Sequence, residues 1–169
     1  MLLTDELKVQ LKAWTEHDFT YTAPEELGHA SIRYFALAMG DDNPLYSDDA
    51  YARTAGFPSV IAPPTFVCET NQYAHRAPND DGYIGHAWEP PLPGFRMIRG
   101  GHEYEFSRPV TPDDRLTAVW RLEEITEHVS PRTGPMLVAV AVGTYTNQRG
   151  ELLARNRETL IFQPLEQLR

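Results

Sequence analysis

The sequence holds a single cysteine, Cys68, which excludes an internal disulfide and a thiolate cluster for zinc. Basic residues are also scarce: 15 Lys and Arg against 24 Asp and Glu give a formal charge of −9. No Lys/Arg-rich block interrupts that acidity, so neither nucleic acid nor an anionic membrane surface is an expected partner. No apolar run approaches the roughly 20 residues that span a bilayer. Residues 1–10 carry Thr, Asp, Glu and Lys instead of a basic start and an apolar stretch. A signal peptide is therefore not expected, and a cytoplasmic location is. G-x-G-x-x-G and P-loop patterns are missing, and serine sits in no G-x-S-x-G or S-x-x-K context. No cofactor is expected.

What is present has globular composition, with 41% hydrophobic and 23% charged residues over 169 positions, enough for one domain with a proper core. A single domain over 1–169 is expected, with residues 1–18 as an N-terminal helical extension carrying Leu3, Leu7, Leu11 and Trp14 near helical spacing. Phe19 to Thr22 alternates as a short strand. Pro24-Glu25-Glu26 predicts a helix start, and Ile32, Phe35, Ala36 and Met39 mark its apolar face before Gly40 ends it. A short helix follows over 47–55, with Ser47 as N-cap and Gly56 closing it. Residues 65–75 read as a buried helix with Phe66, Val67, Thr70 and Ala74 on one apolar or small face; the prolines before it are tolerated in a first turn.

Residues 76–97, with Pro78, Pro90, Pro91 and Pro93 beside Gly82, Gly85 and Gly94, read as a long loop. Strands are predicted over 100–110, 115–129, 136–147 and 151–163, separated by Pro112-Asp113-Asp114, Ser130 to Gly134, and Gln148-Arg149-Gly150. Leu137 to Val142 is apolar on both parities, as in a strand covered on both faces. Strands joined by short turns are antiparallel neighbours. The order predicts an α+β fold whose antiparallel sheet wraps a buried helix.

The densest polar cluster is Gly40-Asp41-Asp42-Asn43-Pro44-Leu45-Tyr46, which composition alone describes as a turn. With its spacing included, Asp41-x-Asn43-Pro44-x-Tyr46 followed by Ala52, Phe57 and Ile61-Ala62-Pro63-Pro64 resembles the MaoC-like, (R)-specific enoyl-CoA hydratase family. Ile61 to Phe66, Gly100 to Phe106 and Arg108-Pro109-Val110 are similar to its FAS1-like dehydratase branch, and the resemblance runs over residues 20–163. It implies a single hot-dog fold, a long antiparallel sheet around a central helix. It also implies a D-x-N-P-x-H motif whose Asp and His act on a water molecule or the substrate α-proton. An I-A-H-G element then supplies a glycine N–H to the thioester carbonyl.

Carried over residue by residue, the resemblance puts Asp41 at the acid position, Tyr46 where the family has histidine, and Pro64 at the glycine. A phenol titrates near pH 10 against about 6.5 for imidazole and is a poor base at neutral pH. Proline has no N–H to offer an oxyanion, and losing one such donor costs about 10²–10³ in rate. Asp41 thereby becomes a vestigial catalytic residue beside Tyr46. The resemblance then implies a degenerate subunit of a heteromeric enoyl-CoA hydratase or 3-hydroxyacyl-CoA dehydratase, inactive alone. Its partners are an acyl-CoA (an enoyl or 3-hydroxyacyl thioester) and a MaoC-like subunit carrying the intact D-x-N-P-x-H.

The expected substrate-binding residues are Asn43, Pro64 and Thr65 around the vestigial site, Tyr83, Trp88 and Phe95 in a tunnel wall over 82–97, and His102. Thr65 is also a candidate for a displaced N–H or hydroxyl donor. Glu69 on the central helix is a candidate thioesterase carboxylate, against a solvated helix-surface role. The six histidines show no metal-ligand spacing; His86 and His102 flank the long loop and are weighed as pocket residues against structural ones. Two alternatives stand beside the main reading. One is an active homodimeric hydratase that uses Asp41 with Tyr46 or a relocated histidine such as His102. The other is a non-enzymatic acyl-CoA-binding module.

Overall fold

The computed structural model describes residues 2–68, 71–80, 82–86 and 92–165. Helix α1 (Asp5–Thr15) opens at Thr4, whose hydroxyl accepts the Leu7 N–H, and its acidic first turn complements the helix dipole. The backbone before it is pinned to the sheet: the N–H groups of Leu2 and Leu3 donate to the Glu127 carboxylate at 2.9 and 3.2 Å.

Strand β1 (Asp18–Thr22) leads to α2 (Gly28–Met39), which begins later than Pro24-Glu25-Glu26 predicts. The intervening backbone is occupied elsewhere. Ala23, Leu27 and Gly28 donate their N–H groups to the carbonyls of Leu116, Asp114 and Pro112, so this stretch follows the 112–116 segment and cannot coil. Gly40 ends α2 in the left-handed conformation, φ 70°, where a side chain is disfavoured. A 3-10 turn over Pro44–Tyr46 follows, then α3 (Asp49–Thr54). Asp48 caps α3, not Ser47: its carboxylate accepts the Ala50 and Tyr51 N–H groups at 2.8 and 3.1 Å, while Ser47 still belongs to the end of the 3-10 turn that closes on Pro44.

The segment after the tandem prolines is buried as expected, but it is wound as 3-10 turns over Pro64–Cys68 and Asn71–Tyr73. The carbonyl of Val67 is satisfied by the Gln72 side chain at 3.1 Å, so the amide competes with a regular helical ladder. Glu69 and Thr70 lie outside the described residues, so the thioesterase assignment has no structural account.

Strands β2 (Phe95–Phe106), β3 (Thr117–Ser130), β4 (Gly134–Thr146) and β5 (Leu152–Pro164) join β1 in an antiparallel sheet of order β1-β3-β4-β5-β2. The β3-β4-β5 meander follows the predicted turns. Strand β2 differs: it begins five residues before the predicted start and stops before Pro109, because Phe95 to Arg99 pair with Pro164 to Leu160. A bulge between Arg99 and Gly101 keeps the rest in register. The loop of the prediction therefore loses Phe95, Arg96 and Met97 to the sheet.

One sheet face is closed by Phe66, Val67 and Cys68 packed over Trp120, Leu122, Ala139 and Leu160. Gly143 on β4 stands opposite Trp120, and a Cβ there would lie 2.9 Å from the indole ring. The small residue is what lets the indole lie across the sheet. On the other face Val138, Val140 and Val142 are only half-buried, which departs from the two-sided burial predicted for β4. The buried 3-10 turns cover one face and nothing comparable covers the second among the described residues.

Candidate functional site

The Asp41–Tyr46 loop is shaped locally before it is shaped by packing. The Asp41 N–H returns to Ala36, the Asn43 N–H donates to the Asp41 carboxylate at 3.1 Å, and the Leu45 N–H donates to Asn43 Oδ1 at 3.1 Å. These Asx-type bonds with Pro44 fix the turn that turns Tyr46 inward. Asp41 stays exposed and Asn43 half-exposed, whereas Tyr46 is buried.

Two backbone hydrogen bonds then assemble a cleft. Ile61 donates to Leu45 at 3.0 Å and Ala62 to Val110 at 2.8 Å, which clamps the Ile-Ala-Pro-Pro segment between the loop and the end of the β2 excursion. The result is a cavity of about 270 Å³ walled by Tyr46, Pro64, Val67, Phe106 and Arg108. Burial pushes the Tyr46 phenol above its ordinary value and the Asp41 charge adds to that, against a smaller opposing effect of Asn43. A phenol so placed is a proton donor and a poor acceptor at neutral pH. Pro64 presents no N–H to the cleft. Arg108 at the wall is paired with Glu151, whose carboxyl is held down at about 2 by Asn147, Arg108 and Arg149.

The predicted site residues separate into groups. Asp41, Asn43 and Tyr46 share the loop, and Tyr46 meets Pro64 in the cleft; Thr65 is exposed and is not among the residues walling it. Tyr83 accepts a hydrogen bond from Arg99 at 2.8 Å, away from the cleft. Phe95 opens β2 and borders a separate surface hollow with Leu2 and Leu7 of the N-terminal segment. Trp88 lies outside the described residues.

His102 belongs to a different cluster, centred on Glu158 of β5. That carboxylate is fully buried; its Oε2 lies 2.8 Å from His86 Nε2, and its Oε1 lies 3.2 Å from Arg99 Nη1 and 3.7 Å from His102 Nε2. His86 lies flat on Trp120, ring centroids 4.1 Å apart. Glu158, Arg99 and Asn156 escaped sequence reasoning. One signal was available: Asn156 and Glu158 share the parity of Leu160 and Phe162, so a charge interrupts an otherwise apolar strand face. Among the described residues no three His, Cys, Asp or Glu side chains are placed so that they could hold a metal ion, and no helix there is long and apolar enough to cross a membrane.

Residues 13–156 match the family model described as FAS1-like, dehydratase domain region. The UPF0336 protein of Streptomyces coelicolor is 40% identical over 104 residues, 62% of this chain; the match spans 65% of that relative's length. Among solved structures, a chain of the ChsH1-ChsH2 complex from Mycobacterium tuberculosis superposes with a TM-score of 0.75 at 18% identity, over 95% of this chain and 93% of that one. A chain of the C-terminally truncated HadBC (3R-hydroxyacyl-ACP dehydratase) complex from the same organism gives 0.59 at 24% identity, over 86% of this chain and 96% of that one. The fold is the hot-dog fold of MaoC-like dehydratases.

Proposed function

The chain belongs to the FAS1-like dehydratase-domain family of MaoC-like proteins, and from that premise we propose that it is the catalytically degenerate subunit of a heteromeric enoyl-thioester hydratase, the same reaction run backwards being 3-hydroxyacyl dehydration. Water adds across the trans-2-enoyl double bond: oxygen to C3, a proton to C2. The base that activates the water and the acid that protonates C2 come from a partner subunit with an intact D-x-N-P-x-H motif. This chain contributes a sheet, a vestigial loop and part of the acyl pocket.

The observation that carries this reading is that Tyr46 and Pro64 wall one cleft. The two departures from the family motif thus fall in one place, where a base and an oxyanion donor would have to act together. Burial and the Asp41 charge both work against ionisation of Tyr46, so the phenol is kept from serving as the missing base. The heteromeric complexes among the solved relatives support the partner role in kind.

Co-expression with a MaoC-like chain carrying D-x-N-P-x-H, followed by mass measurement of the purified product, tests the partnership. A stable complex of the two chains is expected. Recovery of this chain only as a homomer, in the presence of every such candidate from its source, overturns the reading.

A further inference from the structure

A second hollow opens beside the Tyr46–Pro64 cleft. It measures about 310 Å³ against about 270 Å³ for the cleft, and the two share Ile61, Arg108 and Pro109 in their walls. Either volume alone stands at the small end of the range for ligand sites; side by side they fall within it. A ligand seated in the cleft and extending past Arg108 enters the second hollow.

Part of that hollow is apolar, lined by Phe57, Pro58, Ile61 and Pro109. The remainder is a polar network between the segment after β2 and the β4–β5 turn. Asp114, although buried, takes the Thr111 N–H, the Asn147 amide and the Arg149 guanidinium, each at 2.9 Å. Glu151 takes Arg149 Nε at 2.8 Å and the Asn147 amide at 2.7 Å, and it pairs with Arg108. The Asn147 carbonyl in turn accepts the N–H groups of Arg149 and Glu151, at 3.1 and 3.0 Å.

This network selects against an anion. Among the described residues lining the hollow, both guanidinium groups are already matched by carboxylates. A phosphate would have to displace Asp114 or Glu151, and the chain's formal charge of −9 works against it as well. Neutral hydrogen bonding remains open. Arg108 and Arg149 are 45% and 54% exposed, and a guanidinium carries more N–H donors than these bonds consume. The group that fits is uncharged, rich in carbonyl acceptors, and apolar on one flank.

We infer that the hollow holds the pantetheine arm of an acyl thioester. The amide carbonyls of the arm accept from Arg108 and Arg149, its dimethyl group lies on Phe57 and Pro58, and the phosphate beyond it stays in solvent. The cleft that lacks a base and an oxyanion donor thus keeps its hold on thioesters. The inference rests on the reading that this chain handles acyl thioesters, and it is independent of where turnover takes place. Coenzyme A and acyl carrier proteins share this arm, and it is the shared part that is recognised.

The test is calorimetric binding of one acyl group on four carriers to the purified full chain. The probes are butyryl-CoA, butyryl-pantetheine, a butyryl acyl carrier protein, and butyryl-N-acetylcysteamine, whose arm ends after one amide. Butyryl-pantetheine is expected to match butyryl-CoA within about twofold. The truncated thioester is expected to bind about tenfold more weakly, the scale of one or two neutral hydrogen bonds. Pro58→Trp fills the hollow from an exposed loop position and is expected to abolish that tenfold difference without changing the truncated thioester. Binding of the carrier protein as tightly as butyryl-pantetheine names a carrier protein as a source of the arm; failure of that probe alone names coenzyme A. A preference of about tenfold or more for butyryl-CoA over butyryl-pantetheine overturns the inference, as does equal binding of the full and truncated arms, and both leave the proposed function standing. Binding of none overturns the thioester site of this chain, while the partnership is decided separately by complex formation.

Discussion

His86 Nε2 lies 2.8 Å from Glu158 Oε2, and both side chains are sealed from solvent, one at 3% exposure and the other at 0%. The pair ties the 82–86 segment to the sheet, with the His86 ring pressed on Trp120 behind it. Removing one member leaves the other buried and uncompensated. Glu158→Ala is expected to destabilise the chain by about 3–5 kcal/mol, read from the urea midpoint, whereas an apolar replacement of both members costs far less.

Acid sensitivity follows from the same carboxylate. Burial pushes the Glu158 carboxyl up, but the hydrogen bond and charge of His86, with Arg99 and His102, outweigh it and leave it below its ordinary value of 4.5. A group depressed in the folded state stabilises above its unfolded value and loses that contribution as pH falls through the folded one. Glu151 acts likewise, its window running from 4.5 down to about 2. Stability against urea is expected to fall below pH 4.5, and Glu151→Gln is expected to flatten that fall across the window. An unchanged slope in the variant contradicts the assignment.

Gly143 and Trp120 make a packing prediction. With a Cβ 2.9 Å from the indole, Gly143→Ala must shift the ring or the strand. Overpacking of this kind costs about 1–3 kcal/mol. The near-ultraviolet tryptophan circular dichroism is expected to change with the melting temperature, since a displaced Trp120 ring disturbs its stack on His86 and its 3.0 Å hydrogen bond to Tyr73.

Much of this architecture could be read from the residues alone. Alternation and turn chemistry located β3, β4 and β5 within a residue or two, because their neighbours are also their sequence neighbours. The start of β2 was hidden among prolines and glycines, since what makes Phe95 to Arg99 a strand is pairing with the far end of β5. Ser47 and Asp48 both have capping side chains, and only the 3-10 turn before them decides between the two. That Asp41, Asn43 and Tyr46 share one loop was legible because the grouping is local. The charged cluster was not: Glu158, His86 and Arg99 come from three separated segments, and no spacing rule joins them.

The two departures at the cleft invite a repair. Tyr46→His restores an imidazole in the Asp41 loop, and Pro64→Gly restores a backbone N–H in the same cleft. The double variant is expected to hydrate crotonyl-CoA measurably, with Tyr46→His alone lower by about 10²–10³, the worth of one oxyanion donor. Equal activity in the single and double variants would remove Pro64 from the account.

The most direct measurement is the disappearance of the conjugated enoyl-thioester absorbance of crotonyl-CoA and longer enoyl-CoAs, with the purified chain alone and then with a partner carrying D-x-N-P-x-H. The account predicts no turnover above the uncatalysed rate for the chain alone and turnover once the partner is present. Brisk hydration by the isolated chain, lost in Asp41→Ala, would contradict it.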